Sequence, residues 1–181
     1  NIFTLNYNLN TMHKLELHIS TSLNRLAINY KSIFYFFRAI TFTAEWWMYI
    51  AYAILLLTID YNSAKQPIQM GLIAYSMHYP LYYVIKNITK RKRPFERYNH
   101  IKRFVIPPDK YSLPSGHASA SIITTLILIN FFPELNIIII WPVLVSISRI
   151  VLGVHYIGDT IIGLFLGYLC FYVAKIIWFL Y

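Results

Sequence analysis

The residues best suited to chemistry fall in three short segments of the chain, 86–94, 114–117 and 148–159. Lysine and arginine in the first and third segments supply fixed positive charge, and a guanidinium matches phosphate oxygens with two parallel hydrogen bonds. The second segment, Pro-Ser-Gly-His, runs directly into an apolar stretch, where a helix would begin and its free backbone N–H groups would favour an anion. The pattern therefore predicts a phosphate-binding site made by Lys86, Arg93, Ser115, Gly116 and Arg149.

Two histidines and a carboxylate supply groups for nucleophilic and acid–base chemistry. His155 and Asp159 are four residues apart, a spacing that puts both side chains on one face of a helix that starts early enough. A carboxylate bonded to one imidazole nitrogen orients the ring and makes the other nitrogen a better nucleophile. His117 is a second imidazole, suited to protonating a departing oxygen. The predicted catalytic residues are therefore His155, His117 and Asp159, and the predicted chemistry is phosphoryl transfer.

Long apolar segments must position these residues. Hydrophobic residues make up 57% of the 181-residue chain and charged residues only 13%, against about 25% charged in soluble domains. The apolar runs do not alternate as barrel strands do, and helices are the form that satisfies backbone polar groups in lipid. The sequence predicts an all-α integral membrane protein, a bundle of about five to six transmembrane helices. Its apolar segments cover 39–59, 67–85, 118–132, 137–152 and 157–181.

The connections between these segments predict where the chemistry lies. Two connections are short, 60–66 and 133–134, whereas 86–114 is long, basic and interrupted by prolines. With five spans, the long loop and the 152–157 corner fall on the same side of the membrane. The predicted site residues should therefore share one face, and ionisable residues at membrane helix ends are functional-site candidates by default.

The N-terminal part differs in character from the remainder. Residues 1–38 are predicted to form a polar tail and an amphipathic helix, and residues 39–181 the transmembrane domain. From Leu15 to Phe37 apolar residues recur with a helical period, and the charged residues lie off that stripe. Two readings remain open at this point: the helix lies flat in the membrane interface, or it packs against the rest of the protein.

The charge of the chain limits its partners. A net charge of +9 suits a nucleic acid, an anionic membrane or a phosphorylated substrate. A nucleic-acid partner does not explain five apolar segments, so the expected partners are the lipid bilayer and a lipid phosphate. No metal-ligand spacing is visible, and one cysteine, Cys170, cannot build a cysteine metal site. We therefore expect no metal and no cofactor.

Together the three segments resemble the type 2 phosphatidic acid phosphatase superfamily. Its pattern, Lys-x6-Arg-Pro, then Pro-Ser-Gly-His, then Ser-Arg-x5-His-x3-Asp, is present at every fixed position and in order. The resemblance implies a metal-independent lipid phosphatase in which His155 is the nucleophile that becomes phosphorylated and Asp159 orients it. His117 would protonate the leaving group and later activate water. One departure is Ile157, where many relatives have proline, which concerns local loop geometry.

The resemblance leaves substrate and location open. Similar bacterial proteins act on undecaprenyl diphosphate, phosphatidylglycerol phosphate, phosphatidic acid or lipid A. A lipid-to-lipid phosphotransferase on the same scaffold and a non-enzymatic lipid-binding membrane protein are the alternatives. The family implies a bacterial inner membrane with the active site on its outer face, whereas fourteen of the sixteen Lys and Arg residues lie on the predicted site face. By the positive-inside rule that face would be cytoplasmic.

Overall fold

The computed structural model describes the backbone of residues 2–180 and the side chains of residues 13–180. Within those residues the chain is about 80% helical and contains no strand, which confirms the all-α prediction. A short 3₁₀ helix, Pro133–Ile139, leads into the α-helix that begins at Ile140. The α-helices, numbered α1 to α8, are in order Ile2–Asn29, Lys31–Phe42, Trp46–Ile59, Tyr61–Thr89, Pro94–Arg97, Gly116–Phe131, Ile140–Val151 and Ile157–Leu180.

The described helices that are long and apolar enough to span a membrane are fewer than the five to six predicted. In the described part of the chain, Pro133–Val151 and Ile157–Leu180 are long and apolar enough to cross a bilayer. A third span results if α2 and α3, which meet at a 60° bend, count as one. Helix α6 is apolar but has only 16 residues. The five to six spans therefore stay a prediction.

The first predicted apolar segment is not one continuous helix. The chain leaves the helical conformation between α2 and α3, and Glu45 precedes α3 with an extended backbone. The Thr43 hydroxyl donates to the Ile40 carbonyl and accepts a hydrogen bond from the Trp141 indole, which holds the break in place. The predicted 60–66 connection is also wrong, because α4 begins at Tyr61 and the Asp60 side chain caps its first turn.

Helix α1 buries polar residues and leaves part of its apolar stripe exposed. Ser20 and Asn24 are buried, whereas Leu15 and Leu26 are 59% and 39% exposed. The Asn24 amide donates to the backbone carbonyls of Lys102 and Val151 and so joins α1 to the long loop and to the end of α7. Helix α1 therefore packs against the rest of the protein. Because part of its apolar stripe also faces outward, the location of the helix in the membrane interface stays a prediction. The predicted tail lies partly in α1, which begins at Ile2, and Asn1 lies outside the described residues.

The core lies where α4, α6 and α8 pack together. Its buried residues come from all three helices: Met70, Ala74, Ile123, Ile127, Leu166, Cys170, Phe171 and Ala174. Helix α8 approaches α6 most closely at Gly163 and Gly167, because a Cβ atom added there would lie 2.6 Å from the Ser115 carbonyl oxygen and 2.3 Å from that of Ser119. The glycine pair therefore serves packing within the chain, and it fixes the start of α6 against the start of α8.

Replacing Gly167 with alanine is expected to lower the free energy of unfolding by about 1–3 kcal/mol, because the new methyl group meets backbone that cannot rotate away. Thermal unfolding in detergent measures the change. The matched control is Gly71→Ala on α4, where the nearest atom to an added Cβ is a side-chain methyl carbon 3.8 Å away. Equal melting temperatures for the two variants would contradict the close α6–α8 packing.

Candidate active site

Four helix ends meet at one end of the bundle, and every sequence-predicted site residue lies there. Lys86 is in the last turn of α4 and Arg149 in the last turn of α7, while Ser115 caps α6 and Asp159 is in the first turn of α8. The Ser115 backbone N–H donates to the Asp159 carbonyl over 2.9 Å, which joins the two helix starts directly. Gly116 lies close to Tyr82, and a Cβ atom added there would be 3.1 Å from the tyrosine ring.

Two of the predicted phosphate-binding cations share one carboxylate. The Lys86 ammonium donates to Asp109 Oδ1 over 2.6 Å, and Arg93 Nη2 donates to the same oxygen over 2.8 Å. The Tyr82 hydroxyl donates to the second oxygen of Asp109 over 2.5 Å. Burial opposes ionisation of Asp109, but the Lys86 ammonium, the Tyr82 hydroxyl and the Arg93 guanidinium together outweigh it, so the pKa of this carboxyl lies below its ordinary value. Asp109 is therefore an anion that holds both cations.

Arg93 also determines which nitrogen of His155 carries the lone pair. Its Nη1 lies 3.2 Å from His155 Nε2 and donates to the Val154 carbonyl over 2.8 Å. A guanidinium has donors only, so Nε2 must accept, and the ring proton of the neutral imidazole is then on Nδ1. The nucleophilic lone pair on Nε2 therefore points toward the Arg93 guanidinium and away from the carboxylate of Asp159.

His155 is nearly enclosed, and its surroundings disfavour the protonated imidazole. It precedes α8, is 2% exposed, and its Nδ1 lies 3.5 Å from Asp159 Oδ2. That separation is longer than a hydrogen bond, although catalytic hydrogen bonds are often long before substrate binds. Burial, then the positive charges of Arg93 and Arg149, hold the pKa of His155 well below its usual value. At neutral pH the imidazole is thus available as a nucleophile.

His117 and Arg149 face the break between α2 and α3. His117 Nε2 lies 3.6 Å from a carboxylate oxygen of Glu45, and Arg149 Nη1 donates to the Thr41 hydroxyl over 2.7 Å. The Nε atoms of Arg93 and Arg149 are buried and have no hydrogen-bond partner among the described residues. Buried guanidinium donors are normally satisfied, so these atoms are free to bind an anion.

A cleft of about 980 Å³ opens from this end of the bundle between α3, α4 and α6. Its polar end contains Glu45, Lys86, Asp109 and His117, and its other end is lined by apolar side chains, among them Leu56, Ile68, Leu72 and Leu128. His155 does not line the cleft. Asp109 at the polar end of the cleft accepts a hydrogen bond from Arg93, and Arg93 in turn contacts His155.

Sequence reasoning missed three charged residues that contact the predicted set, Glu45, Arg91 and Asp109, and a fourth, Glu16, that contacts Arg91. Three of the four are carboxylates. One signal was available, because a chain with 16 basic residues has only seven acidic ones, so a carboxylate near a buried cation is expected to pair with it. In the part of the chain with described side chains, no group of three or more His, Cys, Asp or Glu is arranged to hold a metal ion.

Comparisons with known proteins identify the family and the fold of the chain. The family model described as the PAP2 superfamily matches residues 69–180, more than half of the chain. A PAP2-type phosphatidylglycerolphosphate phosphatase from Bacillus subtilis superposes with a TM-score of 0.74 at 23% identity, over 92% of this chain and 85% of that one. Aquifex aeolicus LpxE superposes with a TM-score of 0.75 at 19% identity, over 89% and 94%. The chain therefore belongs to the PAP2 superfamily and is an integral membrane protein.

Proposed function

We propose that this protein is a membrane phosphatase that hydrolyses a lipid phosphomonoester or diphosphate through a phosphohistidine on His155. The observation that carries the proposal is the cleft, whose apolar space between helices leads to a polar end containing Lys86, Asp109 and His117. Arg93, which is bonded to Asp109, connects this end to His155. A lipid phosphate has the same two parts, an apolar chain and an anionic head. An apolar cleft with a few convergent polar groups is the usual form of a ligand site.

The first chemical step forms a bond between His155 Nε2 and phosphorus. The lone pair attacks as the bond between phosphorus and the lipid oxygen breaks, and His117 donates a proton to that oxygen as it leaves. The proton on Nδ1 faces Asp159, whose carboxylate stabilises the positive charge that develops on the ring. The products are the dephosphorylated lipid and phosphohistidine.

The second step returns the enzyme to its starting state. His117, now neutral, takes a proton from water, and the resulting hydroxide attacks phosphorus as the phosphorus–nitrogen bond breaks. Inorganic phosphate leaves and His155 regains its lone pair. Throughout, the Lys86 ammonium, the Arg93 and Arg149 guanidinium groups and the free N–H groups at the start of α6 stabilise charge on the phosphoryl oxygens.

The candidate substrates are undecaprenyl diphosphate, phosphatidylglycerol phosphate, phosphatidic acid and lipid A, with undecaprenyl diphosphate favoured on the frequency of that activity among similar bacterial proteins. We place the protein in a bacterial inner membrane with the site on the outer face, as the family resemblance implies. The positive-inside rule favours the opposite side. Lys86, Arg91 and Arg93 contact the site and are therefore poor markers of topology, but the basic residues of the N-terminal amphipathic segment are not explained in that way.

The test is phosphate release by purified protein in detergent, with chelator present, from a panel of these lipids. Each lipid is paired with a water-soluble analogue that has the same head and no long chain. We expect kcat/KM to be at least about 100-fold higher for a long-chain lipid, because each buried methylene contributes about 0.8 kcal/mol. Loss of all activity in chelator would contradict metal independence.

A matched pair of variants tests the cleft. Leu72→Trp on α4 fills its apolar end, whereas Leu169→Trp on α8 adds the same bulk to an exposed face outside it. The first should lower activity on long-chain substrates and spare the soluble analogue, and the second should lower neither. A substrate with a labelled phosphorus atom distinguishes the alternative functions. If the label appears on an added lipid instead of in free phosphate, the protein is a phosphotransferase. If the lipid binds without turnover, the protein is a lipid-binding protein.

A further inference from the structure

The carboxylate of Asp159 is completely buried and has three neighbours. Its Oδ2 accepts the Tyr156 backbone N–H over 2.8 Å and faces His155, whereas its Oδ1 accepts Nη1 of Arg91 over 2.6 Å. A buried carboxylate is strongly destabilising unless it is paired and hydrogen-bonded. Arg91 is the only cation within 4.0 Å of this carboxylate among the described residues, apart from the histidine itself.

Arg91 is held in position on two further sides. Its guanidinium lies 4.2 Å from the centre of the Tyr156 ring, and its Nη2 donates to a carboxylate oxygen of Glu16 on α1. The other oxygen of Glu16 accepts the Gly158 backbone N–H over 3.0 Å, at the start of α8. The side chain therefore cannot leave Asp159 without breaking contacts to two other parts of the chain.

We propose that Arg91, held by Glu16 of α1, is a positioning residue for Asp159 and His155. The inference rests on the proposed function, since it assigns Arg91 a part in orienting the nucleophile. Arg91 binds the outer oxygen of Asp159, so the inner oxygen keeps one direction toward Nδ1 of His155. The chain of contacts from Glu16 to His155 also makes helix α1 a component of the active site.

A purely structural ion pair is the competing explanation, and the geometry disfavours it. An exposed salt bridge contributes about 0–1 kcal/mol and has little effect on its surroundings. Here the acceptor is 0% exposed and its second oxygen faces the imidazole. A change at Arg91 must therefore alter either the direction or the charge of the group that His155 faces.

The experiment compares Arg91→Ala, Arg91→Lys and Glu16→Gln with Lys92→Ala. Lys92 is exposed and lies in the same loop, so its removal takes away the same charge without touching Asp159. We expect Arg91→Ala to lower kcat at least about tenfold, because small misplacements of reacting groups are costly, and to leave KM near the parent value. Arg91→Lys should restore part of kcat, and Glu16→Gln should cause a smaller loss.

The pH dependence separates positioning from stability. His155 is faced by Arg93 and Arg149, by Lys86 and His117, and by Asp159. When Arg91 no longer shares the Asp159 carboxylate, that carboxylate stabilises the imidazolium more strongly, so the acid limb of the kcat profile should move to higher pH. A variant that is only less stable would lose active protein with the profile unchanged.

A readout without turnover separates this inference from the proposed function. Histidine NMR in detergent follows the titration of His155 directly, and its pKa should rise in Arg91→Ala and stay unchanged in Lys92→Ala. An inactive parent protein whose His155 pKa still responds to Arg91 would overturn the proposed function alone. Identical kcat, pH profile and His155 titration in Arg91→Ala and Lys92→Ala would overturn the positioning role.

Discussion

Replacing His155 with alanine is expected to lower phosphate release from the preferred lipid by at least about 10³-fold, because the group that forms the covalent intermediate is then removed. The residue is 2% exposed, and its Nε2 lone pair faces the Arg93 guanidinium. Release of inorganic phosphate at saturating lipid measures the effect. His100→Ala is the control, because His100 is an exposed histidine bonded to Thr21 of α1.

The same variants identify the intermediate. With a phosphorus-labelled substrate, label bound to protein and stable to alkali but not to acid is the signature of phosphohistidine. We expect none in His155→Ala. In His117→Ala the label should accumulate, provided that the leaving group needs little protonation, because the residue that activates water has been removed. Equal release from His155→Ala and parent would sink the assignment of the nucleophile.

The helix ends that position this site could be predicted because their signals are local. Pro-Ser-Gly-His before an apolar run predicts the start of a helix, and α6 begins at Gly116 with the Ser115 side chain as its cap. The spacing of Arg149, His155 and Asp159 spans one helix end, a short corner and one helix start. Each of these features depends on fewer than a dozen consecutive residues.

The contacts that complete the site could not be predicted, because their partners are far apart in the chain. Glu16 binds Gly158 and Arg91, and Asp109 joins Lys86 to Arg93. No periodicity or spacing links such pairs, and only the packing of the helices brings them together. A scarce carboxylate in a basic chain indicates that a partner exists without indicating which one.

One part of the fold was mispredicted and another was left open for a common reason. Hydropathy averages over a window, so one Glu45 within an apolar run does not reveal the 60° bend between α2 and α3. Periodicity likewise finds a stripe on α1 without telling whether it faces protein or lipid. In a membrane protein polar and small residues often face the protein, and the burial of Ser20 and Asn24 follows that pattern.

Replacing Arg149 with methionine is expected to lower kcat/KM by about 10²–10³-fold and to raise the stability of the protein. The guanidinium is 1% exposed, and no carboxylate of the described residues lies within 4.0 Å of it. Loss of one preorganised donor to the transition state accounts for the effect on rate. Burial of a cation that lacks a close counter-charge is unfavourable, and an apolar residue of similar volume removes that cost, which is worth about 1–4 kcal/mol.

Arg149→Lys separates charge from geometry. It keeps the buried cation, so its melting temperature in detergent should stay near that of the parent, but it loses the planar donors that match two phosphate oxygens, so its activity should stay low. The Thr41 hydroxyl, which loses its arginine partner in both variants, can bond a carbonyl of its own helix instead. If Arg149→Met is both inactive and less stable than Arg149→Lys, the arginine supports the fold more than the reaction. Gain of stability with loss of rate would mean that the protein keeps an unfavourable buried charge because the phosphoryl group needs it.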